Sequence, residues 1–386
     1  MVAAPAQRAR TQAVIVGAGP AGDAVAAGLR DGGFDGSIIL IGAEPHLPYE
    51  RPHLSKGYLL GTVSRERLPL RPAGQYADLD IEVMSGERVL DLGIEDRRVR
   101  LEGGKSIAWD RLCLAVGSDA RHLGGGVYLR QLEDADSLRA RIDEGGALRV
   151  VGAGFIGCEV AAVARQKGCD VRVEEMLEQP LLRVLGPELG AFIAAAHLSH
   201  GVDLRLNVKA APGADLVAVG SAPRTELAER AGLDVDRGIV VNELGRTSAP
   251  DVFAAGDVTR FFHPLFETRI RVEHFQTAQR QGFAVGRTMA GAETPYREVP
   301  WFWSDQYDLN LQHVGAGLDW DEIVVRGELG SPPFTVFYLE GGSLVGAAGI
   351  NDHHSVARTR HLMEARVQVT RAQLEDPRFD LRRALL

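Results

Sequence analysis

Cysteine is scarce in this sequence, three in 386 residues, and no two of them are close together. Cys113 lies in an apolar strand-like run, Cys158 directly after a glycine-rich turn, and Cys169 before another apolar run. Neither a Cys-x-x-Cys nor a Cys-x4-Cys spacing occurs, which excludes a redox-active dithiol; the three thiols read as small buried hydrophobes in a reducing compartment. Long apolar runs are also missing. No stretch approaches the ~18 apolar residues of a membrane span, and the residues before Thr11 lack the apolar core of a signal peptide. They read as a mobile tail on a cytoplasmic protein with no membrane partner. Positive charge is short: the net charge of -9 argues against a nucleic-acid binder. Lysine is rarest among the charged residues, with only Lys56, Lys105, Lys167 and Lys209 among 43 Lys+Arg, so the position of each lysine carries information. The remaining composition, 45% hydrophobic and 25% charged, is that of a globular chain long enough for two or three domains.

Glycine, by contrast, is organised. Gly17-Ala18-Gly19-Pro20-Ala21-Gly22 and Gly152-Ala153-Gly154-Phe155-Ile156-Gly157 each follow an apolar run and open a helical stretch rich in small residues. Glycine at the first and third positions permits a tight turn, and at the second it lets a pyrophosphate approach the helix N-terminus. A second apolar run ending in an acid follows each loop: Ile38 to Ile41 with Glu44, and Val171 to Val173 with Glu174 and Glu175. The separations, 22 positions from Gly22 to Glu44 and 18 from Gly157 to Glu175, suit a carboxylate that holds a ribose 2′-hydroxyl. One loop alone would fit any βα turn. Two with strand, helix and acid in place predict two bound dinucleotides, the layout of a flavin enzyme fed by a nicotinamide.

Strand-like and helical runs alternate from Ala13 to about Ala255, which predicts parallel sheets built from βαβ units. Leu112 to Val116 reads as the last strand before the chain leaves the first unit, and Asp251 to Asp257 as its return. The predicted fold is therefore α/β, with two Rossmann-like dinucleotide-binding domains, the second inserted in the first, plus a C-terminal α+β domain. The boundaries read as 1–121 with 239–296 for the first, 122–238 for the second and 297–386 for the third. In the third, Phe334 to Leu339, Gly341-Gly342 and Leu344 to Ala347 predict a hairpin with a two-residue turn, followed by an arginine-rich helical segment.

Several runs together resemble a known family, the FAD-dependent ferredoxin and rubredoxin reductases of oxygenase systems, within the glutathione-reductase-like flavoproteins. Beside the glycine loops these are Tyr49 to Lys56, Tyr128 to Arg130, Gly154 to Glu159, Val252 to Asp257 and Val299 to Tyr307. The resemblance covers about Thr11 to Gly317. It implies an NADH:ferredoxin oxidoreductase that binds FAD and NADH, with no metal, as a monomer or weak dimer whose partner is a ferredoxin-type iron-sulfur protein. It also implies residue roles. Lys56 lies beside the flavin ring and pairs with Glu159, the two forming the catalytic pair, since a cation there stabilises reduced flavin. FAD is held by Gly17, Gly19, Gly22, Glu44, Arg51, Val89, Arg130, Asp257 and Phe275, with Trp303 shielding the ring. NADH is held by Gly152, Gly154, Gly157 and Glu175, whose carboxylate accepts from the 2′-hydroxyl and repels a 2′-phosphate.

The sequence departs from the family pattern in several places. Between Leu206 and Asp215 stand only eight residues where the family carries a three-stranded excursion, so that domain is predicted to be trimmed. Ala115-Val116-Gly117, Arg224 and Phe275 replace commoner residues without removing a redox group. An NADH oxidase or quinone reductase on the same scaffold, and a nucleotide-sensing flavoprotein resembling apoptosis-inducing factor, are the alternatives. Arg297, Arg358, Arg360 and Arg366 are candidates for a local basic patch that receives an acidic carrier.

Overall fold

A computed structural model describes residues 11–293 and 295–385. The segment read as a mobile tail lies outside them. In chain order the elements that position the site are β1 (Gln12–Val16), α1 (Pro20–Asp31), β2 (Ser37–Gly42), β3 (Ile81–Ser85), β4 (Arg111–Leu114), β5 (Ala147–Val151), α2 (Phe155–Gln166) and β6 (Asp170–Glu174). They continue with α3 (Leu182–Ser199), β7 (Asp203–Arg205), β8 (Leu216–Val217), β9 (Val252–Ala254), α4 (Phe275–Ala290), β10 (Trp301–Gln306), β11 (Leu309–Gly315), β12 (Glu322–Glu328), β13 (Ser331–Glu340), β14 (Ser343–Ile350) and α5 (His353–Glu364). The described chain folds into two compact units, one formed by residues 11–49 with Pro69–Ser118 and Pro223–Arg297, the other by Glu50–Leu68, Asp119–Ala222 and residues 298–385.

The first unit is built on an all-parallel sheet of order β9-β4-β1-β2-β3. Its central strands are apolar throughout and buried on both faces, as is usual for a parallel sheet. Strand order reverses at β1, so the crevice beyond its carboxyl end is the place where open α/β sheets bind ligands. Behind it α1 and α4 cross at backbone distance. A Cβ on Gly28 would lie 2.2 Å from the Phe283 carbonyl oxygen, one on Gly282 2.5 Å from that of Ala21, and one on Gly286 2.2 Å from that of Val25. Ile15, Val25, Leu29, Leu40, Cys113 and Met289 fill the core around this crossing.

The second unit repeats the plan in a smaller sheet of order β7-β6-β5-β8, again parallel and again reversing at its first strand. No strand stands between Arg205 and Leu216, so the trimmed excursion is a structural fact. A small cluster of Val151, Ala214 and Val217 closes that face, with Tyr128, Ala210 and Val219 against it. The same unit contains an antiparallel sheet of order β10-β11-β14-β13-β12, with α5 following. The hairpin β13-β14 turns at Gly341-Gly342, whose φ values of +54° and +78° explain why two glycines stand there.

Two features differ from the sequence reading. Residues 89–108 form an antiparallel ribbon of Val89–Gly93, Arg98–Leu101 and Ser106–Ala108 inside what reads as continuous βα alternation, because these strands are short and half-exposed. The segment Glu50–Leu68 belongs to the second compact unit, anchored there by Tyr58 donating its hydroxyl proton to Asp136 and by Arg65 pairing with the same carboxylate at 2.9 Å.

Candidate functional site

In the first unit the backbone at Gly17 has φ +112°, and its N–H donates to the Ile41 carbonyl at 2.8 Å. A Cβ on Gly17 would lie 2.2 Å from the Ala115 oxygen and one on Gly22 1.9 Å from the Gly17 oxygen, so the first and third glycines are fixed by the protein itself. A Cβ on Gly19 would meet nothing within 4 Å. Gly19 caps α1 without any side-chain hydrogen bond, which leaves the helix N-terminus facing that open space. Gly256, with φ +80°, comes so close to α1 that its Cβ would lie 2.7 Å from that of Ala21, which sets the half-buried Asp257 by this loop. Glu44 accepts the Tyr49 hydroxyl at 2.6 Å, Val89 is buried at the start of its ribbon strand, and Phe275 is the first residue of α4.

The second loop has the same geometry. Gly152 has φ +97°, and a Cβ there would lie 2.3 Å from the Ala218 oxygen; one on Gly157 would lie 1.9 Å from the Gly152 oxygen. At Gly154, which caps α2 with no side-chain bond, the nearest atom would be 3.9 Å away. Glu175 is tied to the loop itself: it accepts from the Ala153 N–H at 2.7 Å and from the Leu177 N–H at 2.9 Å. Its neighbour Glu174 is engaged elsewhere, held in a fork by Arg149 at 3.0 and 2.7 Å, and those bonds pull its carboxyl below the usual range. Arg149 also donates to the Ala211 and Pro212 carbonyls at 2.8 and 3.1 Å, so this pair pins the shortened segment. Arg172 faces away, exposed and paired with Asp203 at 2.7 Å.

Lys56 and Glu159 meet within the second unit. Nζ stands 2.8 Å from Oε1 of a glutamate that is 3% exposed. The same carboxylate accepts from Ser304 at 2.7 Å on Oε1 and from Ser55 on Oε2. Gln306 donates to Ser304 at 3.2 Å, and His197 bridges Gln306 at 3.0 Å and the Tyr307 hydroxyl at 2.9 Å. Burial lowers the His197 pKa to about 4, against the opposing pull of the Gln306 bond. Nearby, Arg51 donates to the Arg130 carbonyl at 2.5 Å, and Trp303 lies half-buried on β10 beside Trp301, ring centroids 5.9 Å apart.

Sequence reasoning did not single out Ser55, Ser304, Gln306 or His197. The first three lie in runs that carry the family resemblance; His197 sits in an ordinary helical stretch and gives no signal of its own. It also passed over Asp23, buried on α1, which takes Arg71 and the Tyr76 hydroxyl at 2.8 Å each. The three cysteines are buried, and burial raises the thiol pKa of each.

Residues 11–215 and 213–282 match the profile described as pyridine nucleotide-disulphide oxidoreductase, and residues 301–385 that described as reductase C-terminal. The chain belongs to the pyridine nucleotide-disulphide oxidoreductase family. It is an oxidoreductase of that family whose three cysteines are all free. It is 40% identical to the ferredoxin–NAD(+) reductase component of the anthranilate 1,2-dioxygenase system of Burkholderia cepacia, over 96% of this chain and 98% of that protein. To rhodocoxin reductase of Rhodococcus erythropolis it is 38% identical, over 96% and 94%. Among solved structures, the reductase of the covalent putidaredoxin reductase–putidaredoxin complex superposes with a TM-score of 0.94 at 34% identity, covering 98% of this chain and 99% of that one.

Proposed function

We propose that this protein is an NADH-dependent flavoprotein reductase that passes electrons through FAD to a ferredoxin-type iron-sulfur carrier of an oxygenase system. The observation that carries the reading is the pair of glycine loops, each closed around its first and third glycines and open at its second, beneath an uncapped helix end. That is the space a pyrophosphate needs, twice over. FAD, when bound, accepts a hydride from NADH and releases electrons one at a time.

The chain's own residues would divide the work as follows. Gly17, Gly19, Gly22, Glu44, Val89, Asp257 and Phe275 hold FAD together with Arg51, Arg130 and Trp303, the last shielding the ring. Gly152, Gly154, Gly157 and Glu175 hold NADH. Glu175 both keeps the second loop in place and offers a carboxylate to the 2′-hydroxyl; an NADPH phosphate there would meet like charge. Lys56, oriented by Glu159, supplies positive charge next to the flavin. The division into an FAD domain (1–121 and 239–296), an NADH domain (122–238) and a C-terminal domain (297–386) follows from these assignments. Among the described residues no helix is long and apolar enough to cross a membrane.

The test is anaerobic rapid mixing of the FAD-loaded protein with NADH, followed by addition of a ferredoxin and, separately, of a quinone or oxygen. Rapid flavin reduction and fast re-oxidation by ferredoxin alone is the expected result. Re-oxidation by oxygen or quinone at comparable rates would favour an oxidase, and no reduction by NADH would overturn the reading.

A further inference from the structure

Behind the Lys56–Glu159 pair runs a file of buried polar side chains that neither the glycine loops nor Glu175 require. Glu159, Ser304, Gln306 and His197 are each at most 3% exposed, so none relies on bulk water for its hydrogen bonds. The bonding directions can be read outward from the carboxylate. Glu159 Oε1 accepts, so the single Ser304 hydroxyl proton is committed to it. Ser304 Oγ can then only accept from Gln306, which turns the amide nitrogen towards Ser304 and the amide oxygen towards His197. That oxygen needs a donor, so His197 carries its proton on Nε2, and Nδ1 accepts the Tyr307 hydroxyl. Any flipped amide or opposite tautomer would set two acceptors or two donors face to face at a buried position. Outside this file, the exposed His200 stacks on the Tyr307 ring, centroids 3.6 Å apart and planes within 7°.

We propose that Ser304, Gln306 and His197 are positioning residues of the reductase site: a one-way chain of hydrogen bonds, every donor pointing inward, that fixes the Glu159 carboxylate and through it the Lys56 ammonium. The proposal rests on the reductase reading above. The chain is a brace and not a proton wire, because the Gln306 amide would have to pass through an imidic acid to relay a proton. Its effect is electrostatic: aligned donors polarise one another and hold the carboxylate where the lysine is oriented. In neutral His197 Nδ1 accepts the Tyr307 hydroxyl proton; a second proton would make Nδ1 the donor to that oxygen and reverse this link of the chain.

The experiment uses the FAD-loaded protein with ¹⁵N-labelled histidine, and three substitutions: Ser304→Ala, Ser304→Thr and Gln306→Glu. The imidazole spectrum should show His197 as the Nε2–H tautomer, unprotonated between pH 6 and 8; an Nδ1–H tautomer or titration in that range would overturn the chain. Ser304→Ala and Gln306→Glu, the latter putting an acceptor where a donor stood, should shift the flavin midpoint potential and slow limiting flavin reduction roughly tenfold, with NADH affinity within about twofold of wild type. Ser304→Thr, which keeps the hydroxyl, should restore both. Wild-type potential and rate in Ser304→Ala and Gln306→Glu, each checked for full FAD occupancy, would refute the positioning role. Failure of NADH to reduce the unaltered protein would instead count against the reductase reading, while the histidine spectrum would still judge the chain.

Discussion

Two helices leave two glycine loops of the same geometry, and each carries one buried acid near its start, yet the acids are built into their surroundings in different ways. Asp23, directly after Gly22, is answered by Arg71 and Tyr76, both on one short stretch of chain and both on the same carboxylate oxygen. Glu159, two residues after Gly157, is answered by Ser55 and Lys56 from one segment and by Ser304 from another far along the chain, on both oxygens, with Gln306 and His197 lined up behind. The first arrangement staples a local segment to α1. The second converges on one ammonium group, that of Lys56. A buried acid is thus not by itself a functional mark; what distinguishes Glu159 is the number of separate elements that hold it.

Breaking the staple should give the largest effect. Arg71→Ala leaves Asp23, 3% exposed, with Tyr76 alone, and an uncompensated buried carboxylate costs on the order of 3 kcal/mol. Denaturant unfolding of the apoprotein should show that loss, and a change under about 1 kcal/mol would mean that Asp23 is neutral or hydrated.

Next comes the pH dependence of stability. His197 has its pKa lowered to about 4 by burial against an ordinary value of 6.5, and His274 is lowered to about 3 by burial as well. Unfolded chains therefore bind more protons than folded ones as pH falls through this range. The stabilising contribution is complete above pH 6.5 and is lost as pH falls towards 4, by up to about 3 kcal/mol for His197 alone. In His197→Gln, which keeps the donor to Gln306, the slope of stability against pH between 6.5 and 4 should be shallower, with the His274 part remaining. An unchanged slope would show that His197 titrates normally.

The acids that follow the loops sharpen the same comparison. Glu175→Ala removes the loop anchor and the proposed ribose acceptor, so NADH half-saturation should rise at least about tenfold while NADPH changes little, narrowing the gap between the two. Equal half-saturation by both coenzymes in the unaltered protein would contradict the assignment. The smallest effect concerns the carrier. Arg358 and Arg360 face Asp380 and Glu364 at 3.9 and 3.8 Å, which offsets part of their charge; Arg297 and Arg366 lie exposed. Carrier reduction should slow only a few-fold between low and 0.1 M salt while flavin reduction by NADH stays constant. Equal salt dependence of both half-reactions would rule out arginine-guided docking.

The glycine loops were legible in the sequence because their demands are local: a positive φ and a close backbone approach admit only glycine, whatever surrounds them. Lys56 was legible because arginine is otherwise preferred. The trimmed excursion could be counted directly. The antiparallel ribbon at 89–108 was hidden by its short strands, and the placement of Glu50–Leu68 depends on side-chain partners such as Asp136 that lie far along the chain. The brace behind Glu159 was illegible for the same reason: serine, glutamine and histidine are ordinary residues until the fold brings β10 and α3 together.

The most direct measurement compares Glu159→Gln with Asp23→Asn, reading the flavin midpoint potential and the unfolding free energy of each. Glu159→Gln is predicted to move the potential with the smaller stability loss, and Asp23→Asn to lower stability while the potential stays at the wild-type value. A shifted potential in Asp23→Asn, or an unshifted one in Glu159→Gln, would contradict the division between a structural and a functional acid.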